Sequence, residues 1–94
     1  MFAEAVKYSP NLVEAWIGLG IAARDMGEGK EAISALSRAT QLDKSRADAW
    51  LNLGLAYEQS SDLQLAAAAY RQAYSMATDA ATREQAEQGL NRVK

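Results

Sequence analysis

The stretch AWIGLG at residues 15–20 returns as AWLNLG at residues 49–54. The same shift of 34 residues aligns Ala22 with Ala56, Ala32 with Ala66 and Ala39 with Ala73, and it pairs the large residues Leu36 and Tyr70. A chain that writes one pattern twice in 94 residues is built from one unit used twice. That constrains the fold more than any composition value, because a repeat buries its apolar face against its neighbour rather than within itself.

The shift also sets the boundaries. It places Asn11, Ser45 and Asp79 in one register. All three residue types favour helix N-caps, where a side-chain oxygen accepts from an orphan backbone N–H. Asn11 and Ser45 have an acid three residues on, Glu14 and Asp48, which approximates a capping box. Pro10, just before Asn11, stops a preceding helix. Gly27 suits a left-handed helix end, and Ser61 with Gln64 reads as a capping box for the next helix. The spacing predicts helices over 1–8, 12–26, 29–42, 46–59, 62–76 and 80–93. No run alternates apolar and polar residues for long enough to make a strand, and the alanines at 66–69 read as close helix packing. Within a unit, Trp16, Leu19, Gly20 and Ala23 share one helix face, as do Ala32, Leu36 and Ala39. The small Gly20 and Ala32 let two helices approach closely.

These residues resemble the tetratricopeptide repeat, a 34-residue helix–turn–helix of the form W-x2-L-G-x2-Y…A-x3-F…P. Trp50, Leu53, Gly54, Tyr57, Ala66, Tyr70 and Ala73 match it, as do Trp16, Leu19, Gly20, Ala32, Leu36 and Ala39. Ala23 replaces the aromatic of the first unit, and Lys44 and Thr78 stand where proline is expected. The resemblance implies an all-α solenoid of helical hairpins forming a single domain, with repeats at 13–46 and 47–80. Residues 1–10 would then be the remnant second helix of a preceding repeat, with Phe2, Ala5 and Pro10 in their places, cut from a longer array. Residues 80–94 would be a capping helix. There Glu84, Glu87 and Asn91 replace the apolar signature residues, and Ala86, Leu90 and Val93 form a different apolar face.

The family binds partners on the inner face of its first helices. By resemblance that face comprises Glu14, Ile17, Gly18, Ile21, Arg24 and Asp25, then Asp48, Leu51, Asn52, Leu55, Glu58 and Gln59. At about 100° per residue, the stripe of residues 14, 17, 21 and 24 points about 140° away from the Trp16 stripe. Ile17, Ile21, Leu51 and Leu55 are therefore expected outside the Trp16 core, as an apolar patch on an open surface. An alternative is that neighbouring helices partly cover them. The carboxylate clamp of some family members, a set of Lys, Asn and Arg, is matched only by Asn52, and Glu14 and Asp48 would repel a carboxylate. The groove instead suits an apolar or amphipathic protein segment with basic flanks.

Other chemistry finds little support. Lys and Arg number 10 against 12 Asp and Glu, giving a net charge of −2, which speaks against nucleic acid and anionic membranes. Without cysteine or histidine there is no disulfide, no usual zinc ligand set and no imidazole for acid–base work. No apolar run approaches the roughly 20 residues of a membrane helix. The N-terminus lacks the pattern of a signal peptide, so the cytoplasm is the default compartment, although an upstream targeting segment would escape notice. Gly18 to Ala23 spells G-x-G-x-x-A, but mid-helix, where the backbone N–H groups are already used. Gly27-Glu28-Gly29-Lys30 lacks the spacing of a phosphate loop. Ser60 and Ser61 have no base to activate them, and Glu84 and Glu87 read as solvated. The expected function is protein–protein interaction, with no enzyme activity, cofactor or metal. The alternative is a structural, self-associating segment without a separate ligand, a homo-oligomer joined through Phe2, Ala5 and Tyr8.

Overall fold

A computed structural model describes residues 12–93 of the chain. The expectations placed on Phe2, Ala5, Tyr8, Pro10, Asn11 and the helix over 1–8 lie outside the described residues. Among the described residues five α-helices follow one another: α1 (Leu12–Asp25), α2 (Gly29–Leu42), α3 (Ala47–Gln59), α4 (Leu63–Met76) and α5 (Ala80–Val93). Each boundary falls within one residue of its predicted position. The helices α1 and α2 form one hairpin, α3 and α4 the next, and α5 packs against both α3 and α4. The fold is an all-α stack of helical hairpins.

The two hairpin turns are built alike. Gly27 closes α1 with φ +79°. Its N–H donates to the Arg24 carbonyl at 3.0 Å, and the Glu28 N–H donates to the Ala23 carbonyl at 2.8 Å. This pair of bonds satisfies carbonyls that the helix end would otherwise orphan. Thirty-four residues on, the N–H groups of Ser61 and Asp62 donate in the same way to the carbonyls of Glu58 and Tyr57, at 3.0 and 2.8 Å. Ser61 takes the left-handed conformation there, at φ +64°. It is therefore the closing residue of α3 and not the cap of α4, which is preceded by Asp62 with no side-chain cap bond.

Ser45 also departs from expectation. Its N–H and hydroxyl both donate to Asp43 Oδ1, at 3.0 and 2.6 Å. The turn before α3 consumes the side chain that was to cap it, and α3 starts after Arg46 instead. Asp79 does cap α5: its Oδ2 accepts from the Thr82 N–H at 2.9 Å. That bond, with a second from the Thr82 hydroxyl to the same oxygen at 3.0 Å, holds the Asp79 carboxyl below its usual range.

Glycine sets the depth of packing. A Cβ on Gly20 would fall 2.4 Å from Leu36 Cγ, and one on Gly54 would fall 2.7 Å from the Tyr70 ring. Leu36 and Tyr70, equivalent in the two hairpins, are the largest fully buried side chains among the described residues. The absent side chains thus let α2 and α4 seat one bulky residue each against the preceding helix. Gly89 of α5 closes on the other side of Tyr70, where a Cβ would lie 2.5 Å from the ring. Ala86 and Val93 are buried beside it, whereas Glu84, Glu87 and Asn91 are exposed. One apolar cluster joins Leu36, Ala39, Leu53 and Ala56, and a second joins Tyr70, Ala73, Ala86 and Val93. The half-buried Trp50 and Tyr57 pack against both clusters and make the interior continuous.

Candidate interaction surface

The inner-face residues lie on α1 and α3, which pack side by side; α3 packs on its other side against α5. That arrangement corrects one expectation. Ile17 and Leu51 are 5% and 8% exposed, so they do not stand on an open surface. Ile17 joins the cluster of Leu36 and Leu53, and Leu51 joins that of Tyr70, Ala86 and Val93. The angular argument, made on a lone helix, set them outside the Trp16 core, yet Trp16 packs against the cluster that holds Ile17 and Trp50 against the one that holds Leu51. The stated alternative, cover by neighbouring helices, holds at these two positions in the stack. Ile21 and Leu55, one turn further along their helices, keep partial exposure. Gly18, between Ile17 and Leu19, is exposed, with nothing within 4 Å of where its Cβ would lie.

The polar residues assigned to this face are bonded to one another across the helices. Arg46 pairs with Glu14 of α1 and, at 2.7 Å, with Asp48 of α3. Hydrogen bonds to both carboxylates raise the Arg46 pKa further above its usual value. The acidic rim expected from Glu14 and Asp48 therefore carries one negative charge, not two. Arg24 Nη1 donates to Asn52 Oδ1 at 2.7 Å. Asn52 Nδ2 in turn donates to the Asp48 carbonyl at 2.8 Å, and Gln59 Nε2 donates to the Arg24 carbonyl at 3.3 Å. At the far end, Arg92 of α5 grips Glu58 through Nε at 2.9 Å and Nη2 at 3.2 Å. The buried Tyr70 hydroxyl donates to Glu58 Oε1 at 2.6 Å. The bond from Arg92 holds the Glu58 carboxyl below its usual range, against the opposing effect of burial. Burial, followed by the adjoining carboxylate, pushes the Tyr70 phenol above its own.

The structure thus brings Glu14, Arg24, Asp48, Asn52 and Glu58 together as links between units, flanking Ile21 and Leu55. Sequence reasoning missed the partners Arg46, Arg92 and Tyr70. One signal was present: the 34-residue shift aligns Arg24, Glu58 and Arg92, which alternate in charge. Leu55, Glu58, Gln59 and Arg92 line an open groove between α3 and α5. Among the described residues no group of three acidic side chains could hold a metal ion, and no helix is long and apolar enough to cross a membrane. The G-x-G-x-x-A stretch lies inside α1, with Gly20 committed to Leu36.

None of the curated proteins compared with the chain matches it. A family model described as tetratricopeptide repeat matches residues 1–46 and again residues 17–82. The paired hairpins, the 34-residue register and these two matches agree, and the chain belongs to the tetratricopeptide repeat family.

Proposed function

We propose that this chain is a protein-interaction module that holds a partner segment along the inner face of α1, α3 and α5. Repeats of this family generally mediate protein–protein interactions and are typically non-catalytic. The observation that carries the reading is the partial exposure of Ile21 and Leu55, equivalent residues of the two units, beside side chains already bonded to one another. A partner that replaces those internal bonds gains little, so affinity must come from apolar contact in the middle. Glu14, Arg24, Asp48, Asn52 and Glu58 set the polar rim. With Glu14 and Asp48 sharing Arg46, that end keeps one net negative charge and suits a partner with a basic flank. Ile17 and Leu51 act beneath this surface, fixing the spacing of the first helices. In the same reading α5 is a capping helix, its inward row of Ala86, Gly89 and Val93 set against an outward row of Glu84, Glu87 and Asn91.

The test is a selection of displayed 12-residue peptides on the immobilised chain. Recovered peptides should have an apolar centre, and Ile21→Ser with Leu55→Ser should weaken them by about tenfold or more while the circular dichroism spectrum stays helical. Peptides that bind the double variant undiminished would overturn this assignment. The second reading, a structural segment without a separate ligand, is favoured by the burial of Ile17 and Leu51, which turns half of the stripe over to packing between units. It predicts that no peptide is recovered and that the chain sediments as an oligomer at micromolar concentration.

A further inference from the structure

The two hairpins share a 34-residue register yet carry different side chains along one groove. In the second, Trp50, Leu53 and Tyr57 of α3 and Leu65, Ala68 and Gln72 of α4 line a groove of about 300 Å³. The shift by 34 assigns each a counterpart in the first: Trp16, Leu19, Ala23, Glu31, Ser34 and Arg38. There the Arg38 guanidinium lies over the Trp16 ring, 5.9 Å from its centroid. In the second hairpin Gln72 takes the place of that arginine, and Leu65 and Ala68 replace Glu31 and Ser34. The wall becomes apolar and the indole loses its cation, although neither change serves the interior: Leu65 is 48% exposed and Ala68 is exposed.

We propose that this groove takes an arginine side chain from a partner protein, set over Trp50 as Arg38 is set over Trp16. The first hairpin supplies the geometry and the second supplies the room. Electrostatics select a cation, because the face of an indole is the negative part of its quadrupole. Among the described residues no basic side chain lines the groove, and the chain carries a net charge of −2. The Trp50 ring is oriented in advance, since its Nε1–H donates to the Lys44 carbonyl at 3.0 Å. Leu65 and Ala68 suit the methylene stem of an arginine, and Tyr57, which replaces Ala23, adds a second aromatic wall. This surface involves none of Ile21, Leu55 and the bonded rim between the first helices, so it stands or falls apart from the inner-face reading.

The experiment follows the two indole N–H resonances of the ¹⁵N-labelled chain during titration with the capped peptide acetyl-Ala-Leu-Ala-Arg-Ala-amide. The Trp50 signal should move and the Trp16 signal should stay. A citrulline version, alike in shape but uncharged, should bind about three- to fivefold more weakly. Gln72→Arg, the residue already accommodated at the equivalent position 38, should fill the groove from within and abolish the shift. Ile21→Ser with Leu55→Ser should leave the Trp50 response unchanged. The proposal is overturned if Trp50 does not respond, if both indoles move alike, if citrulline binds as well as arginine, or if Gln72→Arg still binds.

Discussion

Gly18 and Gly20 sit two residues apart in α1 and answer to different demands. Gly20 leaves room for Leu36, which is fully buried and has nowhere to retreat. Gly18 leaves room for nothing within the described residues, and a glycine inside a helix costs conformational entropy relative to alanine. Gly18→Ala should therefore stabilise the chain by about 0.5–1 kcal/mol. Gly20→Ala should destabilise it by about 1–3 kcal/mol through overpacking. Urea unfolding followed by circular dichroism would measure both, and two shifts of the same sign would contradict the packing described for α1 against α2. The turn residues carry a related lesson. Gly27 at φ +79° was legible as a helix end, because glycine is the residue that enters that conformation without strain. Ser61 was not legible in the same role, since serine enters it only when the surrounding bonds require it.

Among elements, polar bonds link the first helices of successive units. Glu58 and Arg92 tie α3 to α5, with Tyr70 completing the triad from α4. The Glu58 carboxyl titrates lower in the folded chain than its ordinary value of 4.5. A depressed folded value means that the stabilisation is fully present above about pH 4.5 and is lost as the pH falls through the folded value. Arg92→Gln should accordingly flatten part of the loss of stability as the pH falls below about 4.5, and should cost about 1 kcal/mol or less at pH 7, since Arg92 is nearly half exposed. Urea midpoints compared across that range would reveal the difference; parallel curves for the two proteins would rule the link out. The helices themselves were readable because their signals are local. Caps and spacings act within a few residues, and all five described helices fall within one residue of the predicted ranges. The misread caps have the same origin: Asp43 competes for Ser45 over two residues, and no rule of spacing says which bond wins.

Across the whole molecule, Tyr70 is the residue through which the stack coheres. Its ring lies between Gly54 of α3 and Gly89 of α5, and its hydroxyl reaches the Glu58–Arg92 pair. Tyr70→Ala should cost about 3–5 kcal/mol, a large share of the stability of a small domain. Tyr70→Phe should cost less, about 1.5–3 kcal/mol, because the ring stays and only the hydroxyl's bonds to the charged Glu58 and Arg92 are lost. Thermal and urea unfolding would give the comparison, and a mild effect of the alanine variant would mean that α5 does not depend on this contact. The sequence by itself determined the period, the helices, the small residues Gly20 and Ala32 of the close helix approach, and the residue types on the inner face. All of these are encoded within one unit or by identity between two. The tertiary structure alone decided which inner residues remain accessible. Packing each first helix against the next covers Ile17 and Leu51, leaves Ile21 and Leu55 at the surface, and draws Arg46 and Arg92 onto acids from other helices. Exposure is a property of the neighbour as much as of the residue, and the angle between successive units is set by many weak contacts that no short stretch of sequence contains.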